Sequence, residues 1–216
     1  MLPDPTIACS PIRTKYGEFT IYVFSWSNNE QDNVLCLLSL TPSSQSPLVR
    51  IQSACYTGEI FESLDCDCHW QLETSLAAIQ KQGGLFIYML KDGRGAGSLA
   101  KIRGFGLSQK LRIDTADAYR KLGIPPDPRD YEQAAYVLHH FKISSLRLLT
   151  NNPRKVNWLV NLGFNVERLR LESVPTDYNR DYLRAKAFKL GHLMQSFGTN
   201  QPVANVQKST STPVDE

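Results

Sequence analysis

The fold prediction rests on residues 48–55, Leu-Val-Arg-Ile-Gln-Ser-Ala-Cys, a mostly apolar stretch that predicts a strand running into Cys55. Further along, Cys66 and Cys68 open a helix predicted over Asp67–Gln82, in which apolar residues recur at helical spacing. A strand followed directly by a helix is the repeating unit of α/β proteins. The core of the chain is therefore predicted to be α/β, with three cysteines close to one strand end.

Outward from this segment, the same patterns predict further strands and helices. Strands are predicted at Glu18–Trp26, Val34–Leu40, Leu48–Ala54, Leu85–Leu90, Leu146–Leu149 and Val166–Leu171. Helices are predicted at Asp67–Gln82, Leu99–Lys110, Thr115–Leu122, Asp130–Phe141, Val156–Leu162 and Asp181–Met194. We predict a three-layer α/β/α architecture with a mixed sheet, in a single domain over residues 17–195. Residues 1–16, with three prolines, predict an irregular lead-in, and the polar residues 196–216 predict a disordered tail.

Composition limits the classes of function. The 216 residues carry a net charge of only +3, which favours a local anion site over a nucleic-acid-coating surface. No apolar run reaches membrane-spanning length, so no membrane partner is predicted. Five cysteines, an odd number, without a signal peptide indicate free thiols in a reducing, cytoplasmic setting.

The cysteines form the pattern Cys-x10-Cys-x-Cys at Cys55, Cys66 and Cys68. Three protein ligands leave the fourth position of zinc open, which is typical of catalytic rather than structural sites. The alternative is that these cysteines are small buried apolar residues. Acidic residues and a histidine flank the Cys66–Cys68 pair, and this favours metal binding.

Three further segments carry groups that suit an anionic ligand. Residues 91–97, Lys-Asp-Gly-Arg-Gly-Ala-Gly, form either an anion-binding loop or a solvated turn. The segment Thr150–Lys155 surrounds a helix start, as either a phosphate cradle or a helix cap. Asp127 and Arg129 lie on a proline-rich turn, where they either face a site or form a surface ion pair.

Together these segments resemble GTP cyclohydrolase II, the enzyme that starts riboflavin synthesis, over roughly residues 11–194. The motifs that carry the resemblance are, in order, Val49–Gly58, Ser63–Cys68, Gln71–Glu73, Gly93–Gly95, Lys101–Arg103, Asp114–Thr115, Arg129–Tyr131, Arg147–Lys155 and Lys189–Leu193.

The resemblance implies a fold, a reaction and its cofactors. The family opens the imidazole ring of GTP, releases C8 as formate and cleaves pyrophosphate. It implies zinc on Cys55, Cys66 and Cys68, which activates water for attack on C8. It also implies Mg²⁺ on the triphosphate and a homodimeric assembly.

Individual positions match functional residues of the family. The positions that match nucleotide contacts are Arg50, Ile51, Gln52, Ser53, Ala54, Gln71, Asp92, Gly93, Arg94, Thr115, Thr150 and Lys155. Asp127 matches the proton acceptor, and Arg129 matches the residue proposed as a nucleophile on the α-phosphorus. A guanidinium is protonated at ordinary pH, so stabilising charge on the transferred phosphoryl group is the physically easier role for Arg129.

The sequence departs from the family pattern on the base side. Phe105 stands where the family has a tyrosine, and the loss of one proton-handling group typically lowers a rate by about 10²–10⁴. Gln52 and Ala54 replace a histidine and a glutamate, and Leu90 replaces an arginine. Three functions follow as hypotheses: complete or partial opening of the GTP ring, action on another heterocycle such as a pyrimidine nucleotide in uracil catabolism, or zinc-dependent nucleotide binding without catalysis.

Overall fold

The computed structural model describes residues 2–125, 127 and 129–199. Within them, strands are β1 (Thr6–Thr14), β2 (Gly17–Ser25), β3 (Val34–Ser39), β4 (Leu48–Ser53), β5 (Gly84–Met89), β6 (Ser145–Leu149) and β7 (Asn165–Leu169). The helices are α1 (Tyr56–Glu59), α2 (Cys68–Gln82), α3 (Ser98–Leu111), α4 (Thr115–Lys121), α5 (Glu132–His140), α6 (Pro153–Asn161) and α7 (Arg180–Lys189). Each predicted strand and helix is present with shifted ends, and the predicted α/β fold in a single domain is confirmed.

One mixed sheet of seven strands runs through the described part of the chain, in the order β1-β2-β3-β5-β4-β6-β7. The strands β1, β2, β3 and β5 pair antiparallel, whereas β5, β4, β6 and β7 pair parallel. Parallel strands bring their carboxyl ends to one edge, which is where open α/β sheets bind ligands. The prediction of a mixed sheet is therefore confirmed, and the sheet places a binding edge beyond β4, β5 and β6.

Apolar side chains cover both faces of the sheet, because neighbouring residues of a strand point to opposite sides. On one face, Ile87 of β5 packs with Leu138 of α5 and Leu159 of α6. On the other face, Phe86 packs with Ile79 of α2. All five side chains are at most 2% exposed, and full burial of each contributes about 1.5–3 kcal/mol. Two separate cores on two faces confirm the predicted three-layer architecture.

The prediction of an irregular lead-in over residues 1–16 is wrong, because Thr6–Thr14 form β1 and pair with β2 throughout. Pro11 lies within this strand, opposite Thr20. In the sheet of the described residues, β1 is an edge strand that pairs with β2 alone, and a residue without an N–H group is tolerated on its open side.

The chain beyond α7 differs from the prediction in its details. The helix ends at Lys189 rather than Met194. The predicted disordered tail over 196–216 lies largely outside the described residues, and its first two residues belong to a short 3-10 helix, Gln195–Phe197. Among the described residues, no helix has both the length and the apolar character needed to cross a bilayer.

Candidate active site

A cleft opens at the carboxyl edge of the parallel strands. Cys55 lies just beyond β4, Asp92 just beyond β5 and Thr150 directly after β6. Helix α3 contributes Lys101 and helix α7 contributes Lys186 to the walls. The cleft therefore occupies the place where the topology of an open α/β sheet favours ligand binding.

The three predicted metal ligands converge on one wall of the cleft. The sulfur atoms of Cys55, Cys66 and Cys68 all lie within 4.8 Å of one another. The Sγ atoms of Cys55 and Cys66 are 3.9 Å apart, and all three residues are free thiols. Thiolates that share one tetrahedral zinc at about 2.3 Å are about 3.8 Å apart from each other. The donor atoms and their spacing therefore fit zinc.

Gly58, in the short helix α1, makes this convergence possible. A Cβ atom at this position would lie 2.6 Å from Cys66 Sγ and 3.3 Å from Cys55 Sγ. The first distance is shorter than real Cβ contacts, so any other residue here would push the thiols apart.

Lys101 of α3 places its ammonium group between a thiol and a carboxylate. Its Nζ atom lies 3.2 Å from Cys55 Sγ and 2.8 Å from Asp92 Oδ1. Asp92 also accepts the N–H of Gly93 at 2.7 Å and the hydroxyl of Ser98 at 3.0 Å. Asp92 therefore shapes the glycine-rich loop from within, and Lys101 joins that loop to the cysteines.

The buried guanidinium of Arg50 organises the floor of the cleft. It donates to Leu149 O at 2.9 Å, to Gln52 Oε1 at 2.8 and 2.6 Å, and to Gln71 Oε1 at 2.5 Å. Burial lowers the pKa of Arg50 to about 10, which leaves it protonated at neutral pH. The amide oxygens of both glutamines are thus oriented by one fixed cation.

Each glutamine continues the chain of hydrogen bonds to a carboxylate beside a cysteine. Gln52 Nε2 donates to Glu59 Oε1 at 2.7 Å, and Gln71 Nε2 donates to Asp67 Oδ2 at 2.6 Å. Glu59 Oε2 accepts the N–H of Cys55 at 3.2 Å, and Asp67 lies between the other two cysteines in sequence. Two polar chains therefore connect Arg50 to the loops that carry the thiols.

A buried ion pair ties α7 to the second of these loops. Lys186 Nζ lies 2.8 Å from Asp67 Oδ1, and the two side chains are 12% and 1% exposed. Burial alone would raise the pKa of Asp67, but Lys186 lowers it overall. Asp67 is therefore held as a carboxylate, and α7 is fixed against the cysteines.

The segment Thr150–Lys155 forms the start of α6, and the helix-cap interpretation of it is confirmed. Asn152 caps the helix, since its side chain accepts the N–H of Arg154 at 3.0 Å. Lys155 turns inward instead, and its Nζ donates to Ile51 O at 2.6 Å. Burial lowers the pKa of Lys155 well below its usual value. The two ends of the segment line the cleft.

Arg94, at the tip of the glycine-rich loop, has a left-handed backbone with φ 60° and ψ 31°. This conformation is uncommon for a residue with a side chain and costs on the order of 1–3 kcal/mol. The guanidinium lies 5.7 Å from the ring centroid of Tyr119 and donates to Thr115 Oγ1 at 3.2 Å. These contacts hold the guanidinium at the cleft.

Asp127 and Arg129 form a buried bidentate pair rather than a surface pair. Arg129 Nε and Nη2 donate to the two carboxylate oxygens at 2.7 and 2.8 Å. Burial alone would lower the pKa of Arg129, but Tyr131 and Asp127 raise it overall. Burial would raise the pKa of Asp127, but its bonds to Arg129 and the charge of Arg154 lower it. Arg129 therefore stays a cation facing the cleft, with an ionised Asp127 behind it.

Phe105 lies on α3, half-buried, in the cleft wall. Its ring centroid is 5.9 Å from Lys101 Nζ. The phenyl ring packs against an ammonium group but offers no hydroxyl to a ligand.

The structure brings the predicted site together almost completely. The predicted site residues that line the cleft are Phe105, Arg129, Arg50, Gln52, Ser53, Ala54, Gln71, Asp92, Gly93, Arg94, Thr115, Thr150, Lys155, Cys55, Cys66 and Cys68. Ile51 and Asp127 do not line it: Ile51 is buried within β4, and Asp127 lies behind Arg129.

Sequence reasoning assigned no role to five further titratable side chains that line the cleft. They are Lys101, Tyr119, Tyr182, Lys186 and His192. Lys101 and His192 belong to motifs that carry the family resemblance, so a signal was present. Lys186 and Tyr182 lack such a signal, because their position depends on how α7 docks against the cysteine loop.

Comparison with known proteins agrees with this geometry. The model of the GTP cyclohydrolase II family matches residues 6–170. A GTP cyclohydrolase-2 of Hahella chejuensis is 40% identical over 190 residues, which cover 87% of this chain and 91% of the relative. A GTP cyclohydrolase-2 of Pseudomonas aeruginosa (strain LESB58) is 41% identical over 192 residues, 88% and 93% of the two chains. The riboflavin biosynthesis protein RibBA of Endomicrobium trichonymphae is 38% identical over 184 residues, 84% of this chain and 45% of the relative.

Proposed function

The chain belongs to the GTP cyclohydrolase II family, and from this premise we propose that it hydrolytically opens the ring of a purine nucleotide, with GTP as substrate. The observation that carries the proposal is that three convergent thiols and several buried cations face one cleft. Thiols alone suit a structural metal, and cations alone suit any anion. Their combination supports a metal-assisted hydrolysis of a phosphorylated substrate.

Cys55, Cys66 and Cys68 would hold zinc, whose Lewis acidity would activate water for attack on a ring carbon. The side chains around them keep the sulfur atoms in place. Lys101 lies beside Cys55 and offsets the negative charge of the thiolates. The carboxylate of Glu59 holds the backbone N–H of Cys55. These contacts fix Cys55 and favour its ionised form. Ionisation of Cys66 and Cys68 would come from the bound zinc itself.

The polyphosphate would lie near Arg94, Arg129 and Lys155, with magnesium on its oxygens. A bound phosphate would favour the protonated form of Lys155, whose pKa burial lowers in the free protein. Arg129 would act as an electrostatic stabiliser of the transferred phosphoryl group, because its pKa is raised and a protonated guanidinium is not a nucleophile. Asp127 would orient Arg129 through two parallel hydrogen bonds. Its lowered pKa makes it a weak proton acceptor until Arg129 moves away.

The extent of the reaction depends on Phe105. A tyrosine at this position would place a hydroxyl in the cleft, where it would exchange a proton during ring opening and deformylation. Phe105 provides no such group. We therefore expect an opened ring that retains its formyl group to accumulate before formate is released.

A second candidate is action on a different heterocycle, such as a pyrimidine nucleotide in uracil catabolism. Support comes from Gln52 and Ala54, which replace a histidine and a glutamate of the family. Both ends of the Gln52 amide are already bonded, to Arg50 and to Glu59. The family histidine is thus replaced by a side chain whose amide is already bonded within the protein.

We also propose a homodimer in a cytoplasmic setting. Large apolar side chains are exposed on α3 and on the loop after α1: Leu99 is 67% exposed, Ile102 53%, Ile60 65% and Phe61 78%. A second copy of the chain is the occupant that the family resemblance suggests for them. Sedimentation equilibrium of the full chain tests this, since a monomer at micromolar concentration contradicts it.

Incubation of the zinc-loaded protein with GTP and Mg²⁺ separates the alternatives. Formate and pyrophosphate together indicate the complete reaction, and a ring-opened nucleotide that keeps its formyl group indicates a partial one. Turnover of a pyrimidine nucleotide without turnover of GTP supports the second candidate. Binding without turnover across both classes indicates a regulatory protein that has lost catalysis.

A further inference from the structure

His192 lies in the loop after α7 and lines the cleft. Its Nε2 atom is buried and has no hydrogen-bond partner among the described residues. Native structures rarely leave a buried polar atom unmatched, and such an atom in a cleft points to a missing ligand. The imidazole is therefore a candidate contact for whatever the cleft binds.

The backbone on both sides of this imidazole is fixed. The His192 N–H donates to Lys186 O at 3.0 Å, and its carbonyl accepts the hydroxyl of Thr199 at 2.8 Å. The next N–H, of Leu193, donates to Asn151 O at 2.8 Å. Gly191, with φ 66°, supplies the left-handed turn that directs the chain back to α6. These three backbone bonds hold the loop in place, so the unmade bond of Nε2 is not a sign of local disorder.

The charges around His192 define the ligand chemistry. Burial lowers the pKa of His192 well below its usual value, and the charges of Lys186, Arg129, Lys155 and Arg94 lower it further. The imidazole is therefore neutral, with one N–H to donate. The positive charges of Lys186, Arg129 and Arg94 favour an anionic acceptor, and phosphate oxygens accept such bonds without donating.

We propose that His192 contacts the substrate directly and that its Nε2–H donates a hydrogen bond to a phosphate oxygen of the bound nucleotide. The identity of the nucleotide rests on the proposed function, but the contact itself does not depend on the base. His192 would thus complete the ring of donors formed by Arg94, Arg129 and Lys155.

Inorganic triphosphate with Mg²⁺ is the probe, because it carries the phosphate chain without a base. Its dissociation constant is measured by calorimetry on the zinc-loaded full chain and on two variants, His192→Leu and His192→Gln. Glutamine keeps an N–H donor at similar reach, whereas leucine keeps only the volume. His139→Leu is the matched control, because His139 is an exposed histidine of α5 outside the cleft.

The expected result is that His192→Leu weakens triphosphate binding by about 10- to 100-fold, as for one hydrogen bond to a charged group. His192→Gln and the control should bind as the wild type does, with unchanged zinc content. Equal binding by the wild type and His192→Leu overturns the inference, as does no binding by the wild type. If His192→Leu is unstable, the test rests on a stable His192→Gln variant. Triphosphate binding to that variant weakened by about 10-fold or more overturns the inference, because glutamine keeps the N–H donor. Triphosphate binding that needs His192, together with no turnover of GTP, refutes the proposed function and leaves this contact standing.

Discussion

The buried ion pair between Lys186 and Asp67 allows the loss of stability in a variant to be predicted as a free energy of unfolding. In Lys186→Met, the aliphatic stem remains and the ammonium group is lost. Asp67, with a side chain 1% exposed, keeps one hydrogen-bond donor in Gln71 at 2.6 Å. Removing one partner of a buried ion pair costs about 3–5 kcal/mol. Because Gln71 still satisfies one oxygen, we expect the lower end, about 3 kcal/mol of the free energy of unfolding.

The matched control is Lys189→Met on the same helix. The side chain of Lys189 is 37% exposed and pairs with Asp114 and Asp117. Exposed pairs of this kind contribute about 0–1 kcal/mol, because solvent screens them. The measurement is urea unfolding of both zinc-loaded variants and the wild type at pH 7. A loss for Lys186→Met no larger than that for Lys189→Met would refute the reasoning.

The loss of stability in Lys186→Met depends on pH, because the ion pair requires an ionised Asp67. Lys186 holds the pKa of Asp67 below its value in the unfolded chain, so the ion pair stabilises the fold above that unfolded value, about 3.9. The contribution disappears as the pH falls through the folded pKa. The difference between Lys186→Met and the wild type should therefore shrink as the pH is lowered from 7 toward 3. A difference that grows in acid contradicts the assignment.

Three further substitutions test the site. Gly58→Ala should lower bound zinc, measured by elemental analysis, because its Cβ would lie 2.6 Å from Cys66 Sγ; full zinc content would contradict this. Phe105→Tyr alone should not restore full formate release, because Gln52 also departs from the family. Formate release as fast as that of a related GTP cyclohydrolase-2 would contradict this prediction. Asp127→Asn should lower kcat by about 10²-fold, because Arg129 would lose its fixed orientation, with a smaller change in the dissociation constant of GTP. A loss explained wholly by weaker binding would show that Asp127 acts only on affinity.

The sequence predicts most of this fold because its strands and helices are locally consistent. Leu85–Leu90 is predicted and β5 spans Gly84–Met89, since a continuous apolar run suits a strand covered on both faces. The strand β1 is not predicted, because a proline such as Pro11 is evidence against a strand. Proline is tolerated here because β1 lies at the edge of the sheet. Edge position is a property of the whole sheet, so no local pattern contains it.

The residues of the site likewise fall into those that local sequence predicts and those that it does not. Cys55, Cys66 and Cys68 are predictable because their spacing and chemistry are local. Lys186 is not, because its position depends on how α7 docks against the cysteine loop. Its role rests on the bond to Asp67, which lies 119 residues away in the sequence.

The most direct test of the central claim is the mass of GTP after incubation with the zinc-loaded wild type and with Cys66→Ser. The account predicts a ring-opened nucleotide with the wild type, and neither bound zinc nor product with the variant. Unchanged GTP in the presence of a wild-type protein that holds zinc and binds the nucleotide would contradict it. So would an equal yield of product from a variant that has lost its zinc.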